Sequence, residues 1–295
     1  MLCNVTLMTY MGGANGETVM TVGSKSKAAQ IAEVDPVWAA VVAGARQIAS
    51  DEPPLANMVV ANILNHERFE DALVHRLASR LHHPDVSSDM IRRAFHDALE
   101  QHSDIGTFAR ADLAATLERD PACQRAVEPL LYFKGFQAIQ THRFAHALNK
   151  MGRRDFALYL QSRASQVFQT DINPAVPMGR GIMLDHGTGL VIGETAAIGD
   201  NVSILQGVTL GGTGKSDQDR HPKIGNGVLI GAGAKVLGNI QIGECSRIGA
   251  GSVVLKAVPP RTTVAGVPAK VIGEAGCAQP ALVMDQMVLV HDPNS

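Results

Sequence analysis

Residues 224–258 read IGNGVLIGAGAKVLGNIQIGECSRIGAGSVVLKAV, and an aliphatic side chain returns at every sixth position: Ile224, Ile230, Val236, Ile242, Ile248 and Val254. The next residue is often glycine, as at Gly225, Gly231, Gly243 and Gly249. The fifth place of each hexad is small or aliphatic, as at Val228, Ala234, Ile240, Ser246, Ser252 and Val258. Six consecutive hits are a poor match to an aliphatic-rich sheet with chance spacing. A fixed six-residue period is the mark of a parallel β-helix. Each hexad makes one short flat strand and one turn, its aliphatic side chain points inward, and the glycine lets the backbone bend without a side-chain clash. Three hexads close a triangular coil, so equivalent residues recur about every 18 positions.

The pattern extends upstream. Ile198, Ile204 and Leu210 precede it, and after a two-residue shift Ile172, Met178 and Leu184 come before those. Roughly four to five coils result. One long interruption, GGTGKSDQDRHPK at residues 211–223, has almost no apolar residue. A solenoid tolerates such an insertion as an exposed loop, and loops on rigid scaffolds often carry function.

The first half of the chain has a different period. Apolar residues at three- and four-residue spacing predict helices over 36–50, 55–82, 87–101, 107–119, 129–151 and 154–169. Pro53-Pro54, His83-Pro84-Asp85 and Asp120-Pro121 supply breaks, and Met151-Gly152 suits a helix C-terminus. The fold class expected is α+β: an N-terminal α-helical domain (36–170), then a β-helix (171–273), with residues 1–35 as an extension and 274–295 as a tail.

Composition excludes several functions. Apolar residues make up 45% and charged residues 18%, which argues for a packed core against disorder. The net charge of −2 lacks a basic block, so neither nucleic acid nor an anionic membrane is an expected partner. Cys3, Cys123, Cys245 and Cys277 form no C-x-x-C pair, so neither a zinc site nor a disulfide framework is expected, and free thiols fit a cytoplasmic setting. No stretch is long and apolar enough to span a membrane, and no signal-peptide pattern opens the chain.

The repeats hold only two histidines, His186 and His221. Both sit beside charged residues, in Asp185-His186-Gly187-Thr188-Gly189 and Asp219-Arg220-His221-Pro222. An imidazole titrates near neutral pH and suits a general base, given an acid to hold its tautomer. Asp185 adjoins His186, and Asp171 lies fifteen residues back, close to one coil; spacing leaves both open. Gly211-Gly212-Thr213-Gly214-Lys215-Ser216 misses the phosphate-loop pattern, because Thr209 stands where the first glycine belongs. A zinc lyase on this scaffold would need three converging histidines, one more than the repeats contain.

Residues from about 36 to 273 resemble the serine acetyltransferases, hexapeptide-repeat enzymes with a left-handed β-helix. The likeness is carried by Pro129-Leu130-Leu131-Tyr132-Phe133-Lys134-Gly135-Phe136 and by Asp185-His186-Gly187-Thr188-Gly189. It continues through Gly193-Glu194-Thr195, Thr209-Leu210-Gly211-Gly212-Thr213-Gly214-Lys215, Asp219-Arg220-His221-Pro222-Lys223 and Ala265-Gly266-Val267-Pro268-Ala269. The resemblance implies transfer of an acetyl group from acetyl-CoA, a co-substrate with no tightly bound cofactor, to the hydroxyl of L-serine. It makes His186 the base and Asp171 its partner. It gives Asp120 and Asp185 to the serine ammonium, Arg220 and His221 to the carboxylate, and Glu194 to orienting His221. Gly212, Ala232, Ala250 and Lys270 become liners of a coenzyme A groove. It also implies a homotrimer or a dimer of trimers joined through the helical domains, sites between subunits, and inhibition by L-cysteine. Family tails often end in an isoleucine that enters O-acetylserine sulfhydrylase; this chain ends in Ser295, which argues against that complex.

Overall fold

The computed structural model describes residues 35–214 and 218–286. The N-terminal extension up to residue 34, residues 215–217 of the inserted loop and residues 287–295 of the tail lie outside the described residues.

Helix α1 (Pro36–Asp51) begins where its signals place it. Proline holds the first helical position, and the Asp35 carboxylate accepts the Trp38 N–H at 3.0 Å. It buries Trp38, Val41, Ala45 and Ile48 along one stripe. Helices α2 (Phe69–Leu81), α3 (Ser88–Gln101), α4 (Asp104–Arg119), α5 (Val127–Leu131), α6 (Lys134–Lys150) and α7 (Arg154–Phe168) follow.

Three helix boundaries differ from expectation. The run 55–82 is not one helix: a 3₁₀ turn at Pro53–Leu55, one α turn and a π turn at Val60–Leu64 precede a break before Phe69. The Trp38 indole donates to Glu67 O at 3.0 Å, tying the break to α1. The apolar stripe resumes beyond it, so periodicity gives no warning. The run 129–151 splits at Tyr132-Phe133, because Gln137 Nε2 takes Leu130 O at 2.9 Å and the Arg76 guanidinium takes Leu131 O. Helix α4 starts at Asp104 rather than 107.

From Thr170 the chain winds into a left-handed β-helix with three parallel faces. One face carries β1 (Thr170–Ile172), β3 (Leu190–Ile192), β6 (Thr209–Gly211), β9 (Lys235–Leu237) and β12 (Val253–Val254). The second carries β4 (Ala197–Ile198), β7 (Lys223–Ile224) and β10 (Gln241–Ile242). The third stacks β2 (Met183–Leu184), β5 (Ser203–Ile204), β8 (Leu229–Ile230), β11 (Arg247–Ile248) and β13 (Thr262–Gly266), closed by antiparallel β14 (Ala269–Glu274). Lys235 pairs with Val253 and Leu229 with Arg247, 18 residues apart as the period requires. Asp171 pairs with Val191, a spacing of 20, and Thr209 with Lys235, a spacing of 26. The inserted loop therefore adds a net eight residues to one coil. Ile172, Ile192, Leu210, Val236 and Val254 form one inward column, each no more than 5% exposed.

Buried polar contacts clamp the helices to the coils. Asp112 of α4 accepts Gln140 Nε2 at 2.9 Å, Arg143 Nε at 2.7 Å and the Ile182 N–H at 2.8 Å. Arg143 reaches on to Gly179 O at 2.7 Å. Arg119 donates to Gly181 O at 3.0 Å and to Ser203 Oγ at 3.1 Å. A last short helix, α8 (Pro280–Val283), returns along the third face, where Ser203 Oγ donates to Ala281 O at 2.8 Å. No helix among the described residues is long and apolar enough to cross a membrane.

Candidate active site

His186 lies in the turn between β2 and β3. The span from Leu184 to Ile192 is two residues longer than its counterpart from Ile204 to Leu210, which accounts for the 20-residue spacing of the first coil. The extra length is accommodated by left-handed backbone at His186 (φ 55°), Gly187 (φ 76°) and Gly189 (φ 74°). Such a φ costs a non-glycine residue on the order of 1 kcal/mol. Here it accompanies an imidazole that is 72% exposed. The turn is supported on two sides. From α6, Lys134 Nζ reaches Thr188 Oγ1 at 2.5 Å and Gln169 Oε1 at 3.3 Å. From the layer beside it, Gln169 O accepts the Gly189 N–H at 2.8 Å.

The carboxylate nearest the imidazole is Asp185, whose Oδ1 lies 3.6 Å from His186 Nε2. Burial pushes the Asp185 carboxyl above the usual carboxylate range; the Asp120 carboxylate adds to the rise and His186 opposes it. Asp120 stands at the C-terminal end of α4, its Oδ1 accepting the Ala122 N–H at 2.8 Å. The neighbouring Arg119 clamp thus brings an acid of the helical domain to an acid of the β-helix. Asp171 sits on β1 and accepts Gln161 Nε2 at 2.6 Å, in a recess with Leu158, Ser162 and Gln166. Among the described residues no hydrogen bond joins Asp171 to His186.

A second cluster forms where β3 ends. Arg220 Nη2 donates to Glu194 Oε2 at 2.9 Å, so Glu194 is placed on the guanidinium rather than on His221. His221 is buried, and its Nδ1 faces Thr195: the Thr195 N–H donates to it at 3.2 Å and Thr195 Oγ1 lies 2.8 Å away. Burial, then the charges of Arg220 and Lys223, hold the His221 ring below the usual histidine range. Lys223 Nζ pins the loop through Asp219 Oδ1 at 2.6 Å and His221 O at 2.7 Å. Gly193 gives the ring its room, since a β-carbon there would sit 1.9 Å from His221 Nε2.

The two clusters occupy opposite ends of β3, whose three residues alone span about 10 Å. No hydrogen bond or ion pair among the described residues joins His186 to Arg220 or His221. Below His186 the turns of successive coils stack into a narrow ribbon. Gly207 N–H donates to Thr188 O at 2.8 Å, Gly233 N–H to Gln206 O at 2.8 Å and Gly251 N–H to Ala232 O at 2.7 Å. Ala232 and Ala250 lie on this ribbon. Gly212 lies against Arg220 on the other edge, and Lys270 is exposed on β14. Thr195, Gly193 and Gly135 are functional neighbours that the motifs Gly193-Glu194-Thr195 and Lys134-Gly135-Phe136 do not by themselves reveal. Gly193 and Thr195 flank Glu194, which is their only local signal, and Gly135 follows Lys134 with none.

A family model described as "Serine acetyltransferase, N-terminal" matches residues 37–141, and "Bacterial transferase hexapeptide (six repeats)" matches 221–256. The serine acetyltransferase of Salmonella typhimurium is 51% identical over 254 residues, covering 86% of this chain and 93% of that protein. The chain belongs to the serine acetyltransferases. Solved serine acetyltransferases agree with the fold. The Brucella abortus enzyme in complex with coenzyme A has a TM-score of 0.82 at 58% identity, covering 84% of this chain and 99% of that one. A serine acetyltransferase in complex with cysteine has a TM-score of 0.85 at 46% identity, covering 86% and 99%. The soybean serine acetyltransferase complexed with serine has a TM-score of 0.78 at 51% identity, covering 80% and 97%. Membership makes this chain an acyltransferase.

Proposed function

We propose that His186 is the general base with which this acyltransferase moves the acetyl group of acetyl-CoA to the hydroxyl of L-serine. The observation that carries the reading is an exposed imidazole, on a turn bonded to α6 and to Gln169, beside the Asp185–Asp120 pair. A neutral imidazole takes the serine hydroxyl proton as the oxygen attacks the thioester carbonyl. The tetrahedral adduct then collapses, the thiolate of coenzyme A departs, and the imidazolium returns the proton to it. Asp171 is the group assigned to stabilise the imidazolium, and Thr170 beside it on β1 packs against Gly187 of the His186 turn.

A zwitterionic acceptor needs opposite charges at its two ends. Asp185 and Asp120 supply the negative pocket, and Arg220 with His221 the positive one. Those pockets lie on two edges of one prism, so one copy does not close a site. A three-fold assembly sets the His186 edge of one copy against the loop edge of the next. The helical domain serves to join such trimers in pairs. Coenzyme A runs along the Ala232–Ala250 ribbon, with Gly212 and Lys270 at its margins. L-cysteine has the same zwitterionic backbone as serine and competes for the same pockets.

The test is to mix the protein with acetyl-CoA and each of the twenty amino acids and to follow free thiol release. L-serine alone is expected to give rapid release. A faster reaction with another acceptor would displace the reading. L-cysteine is expected to raise the apparent KM for serine.

A further inference from the structure

Thr195 is bonded to the His221 segment in four ways. Its Oγ1 accepts the Arg220 N–H at 3.0 Å and the His221 N–H at 3.1 Å, and stands 2.8 Å from His221 Nδ1. Its backbone N–H donates to the same Nδ1 at 3.2 Å. A hydroxyl offers two acceptor positions and one proton. The loop amides fill both acceptor positions, so toward Nδ1 the hydroxyl has only its proton to give. The backbone amide can only donate. Nδ1 therefore meets donors alone and must hold its lone pair, which leaves the ring proton on Nε2. The Asp219 carboxylate also lies within reach of the Thr195 hydroxyl. If the proton turned that way, only the longer bond from the Thr195 amide, at 3.2 Å, would face Nδ1, and it alone holds the tautomer weakly.

We propose that Thr195 is a positioning residue that fixes His221 as the neutral Nε2–H tautomer, so that the ring offers an obligatory donor to a carboxylate. The role at the carboxylate rests on the reading of His221 given above; the tautomer does not. Burial and the adjacent cations keep the ring neutral, and a neutral ring must choose between two tautomers. The wrong one would aim a lone pair at an anion. Gly193 protects the geometry, because a β-carbon there would occupy the place of Nε2. Arg220 then supplies charge and His221 supplies direction.

The experiment is long-range proton–nitrogen correlation NMR on ¹⁵N-histidine-labelled full-length protein at pH 8, with the His221 signals assigned by loss in His221→Asn. The wild type is expected to show a protonated Nε2 and an unprotonated Nδ1. Thr195→Val should give a mixture of tautomers and raise the KM for serine about tenfold, the worth of one hydrogen bond to a charged group. Its kcat and its KM for acetyl-CoA should stay within about threefold. Thr195→Ser keeps the hydroxyl and should match the wild type in both readouts, which also guards against a valine variant that fails to fold. A protonated Nδ1 in the wild type, or a Thr195→Val enzyme with unchanged tautomer and serine KM, would overturn the proposal. A normal serine KM in His221→Asn would instead overturn the carboxylate reading, whatever the tautomer.

Discussion

A β-carbon on Gly135 would sit 2.1 Å from the Leu184 carbonyl oxygen, so the start of α6 rests on the strand before His186 only because residue 135 is glycine. The opposing atom is backbone and has no rotamer to yield. The Gly135→Ala enzyme is expected to push α6 and the His186 turn apart and to lose at least about tenfold in kcat, since small misplacements near the chemistry are costly. Steady-state kinetics on the folded variant checks this, and Ala138→Gly on the same helix serves as the comparison.

Acid stability should report His142. Its ring is enclosed in α6, its Nε2 on Val176 O at 3.0 Å, and burial pushes its pKa down to about 3. An unfolded histidine titrates at about 6.5. Below that pH the unfolded chain binds a proton that the folded chain refuses, so folding stability falls as pH drops from about 6.5 toward 3. The slope is about 1.4 kcal/mol per pH unit for one such group. His146 is also depressed by burial and steepens the same limb. Urea midpoints between pH 7 and pH 5 should fall in the wild type and fall less in His142→Gln.

Much of this molecule is legible as local period. Hexad stacking is a contact between identical positions of neighbouring coils, so the inward column from Ile192 to Val254 can be read from spacing. The two-residue shift between Leu184 and Ile198 is legible too, and the structure places it in the His186 turn. The split between α5 and α6 was not, because it depends on Arg76 and Gln137 capturing carbonyls from distant positions. The acid beside His186 was equally out of reach, since adjacency for Asp185 and nearly one coil for Asp171 both allow contact, and side-chain direction decides. Thr195 meets His221 across 26 residues that include the loop insertion, a register that no period encodes.

Serine affinity should weaken on the acid side earlier than an ordinary carboxylate would allow. The Asp185 carboxyl is raised by burial and by Asp120, so it takes up its proton at a pH above the usual value of about 3.9 as pH falls. An un-ionised Asp185 no longer attracts an ammonium. Calorimetric titration with L-serine should show a dissociation constant that rises as pH drops through this range. In Asp185→Asn the constant should be raised throughout, with that limb flattened.

Two inactive variants should rescue each other. If His186 of one copy works with Arg220 of another, co-refolding His186→Ala with Arg220→Ala in equal amounts regenerates some intact sites. Random mixing around a three-fold ring restores about a quarter of the wild-type activity. Sites built within single chains would leave the mixture as inactive as its components.

The decisive measurement is the single-turnover rate of acetyl transfer to L-serine by His186→Ala, with acetyl-CoA binding measured alongside. The expected result is a rate lower by about two to four orders of magnitude, the usual worth of a general base, with acetyl-CoA binding unchanged. A rate within a few-fold of the wild type would contradict the assignment of His186.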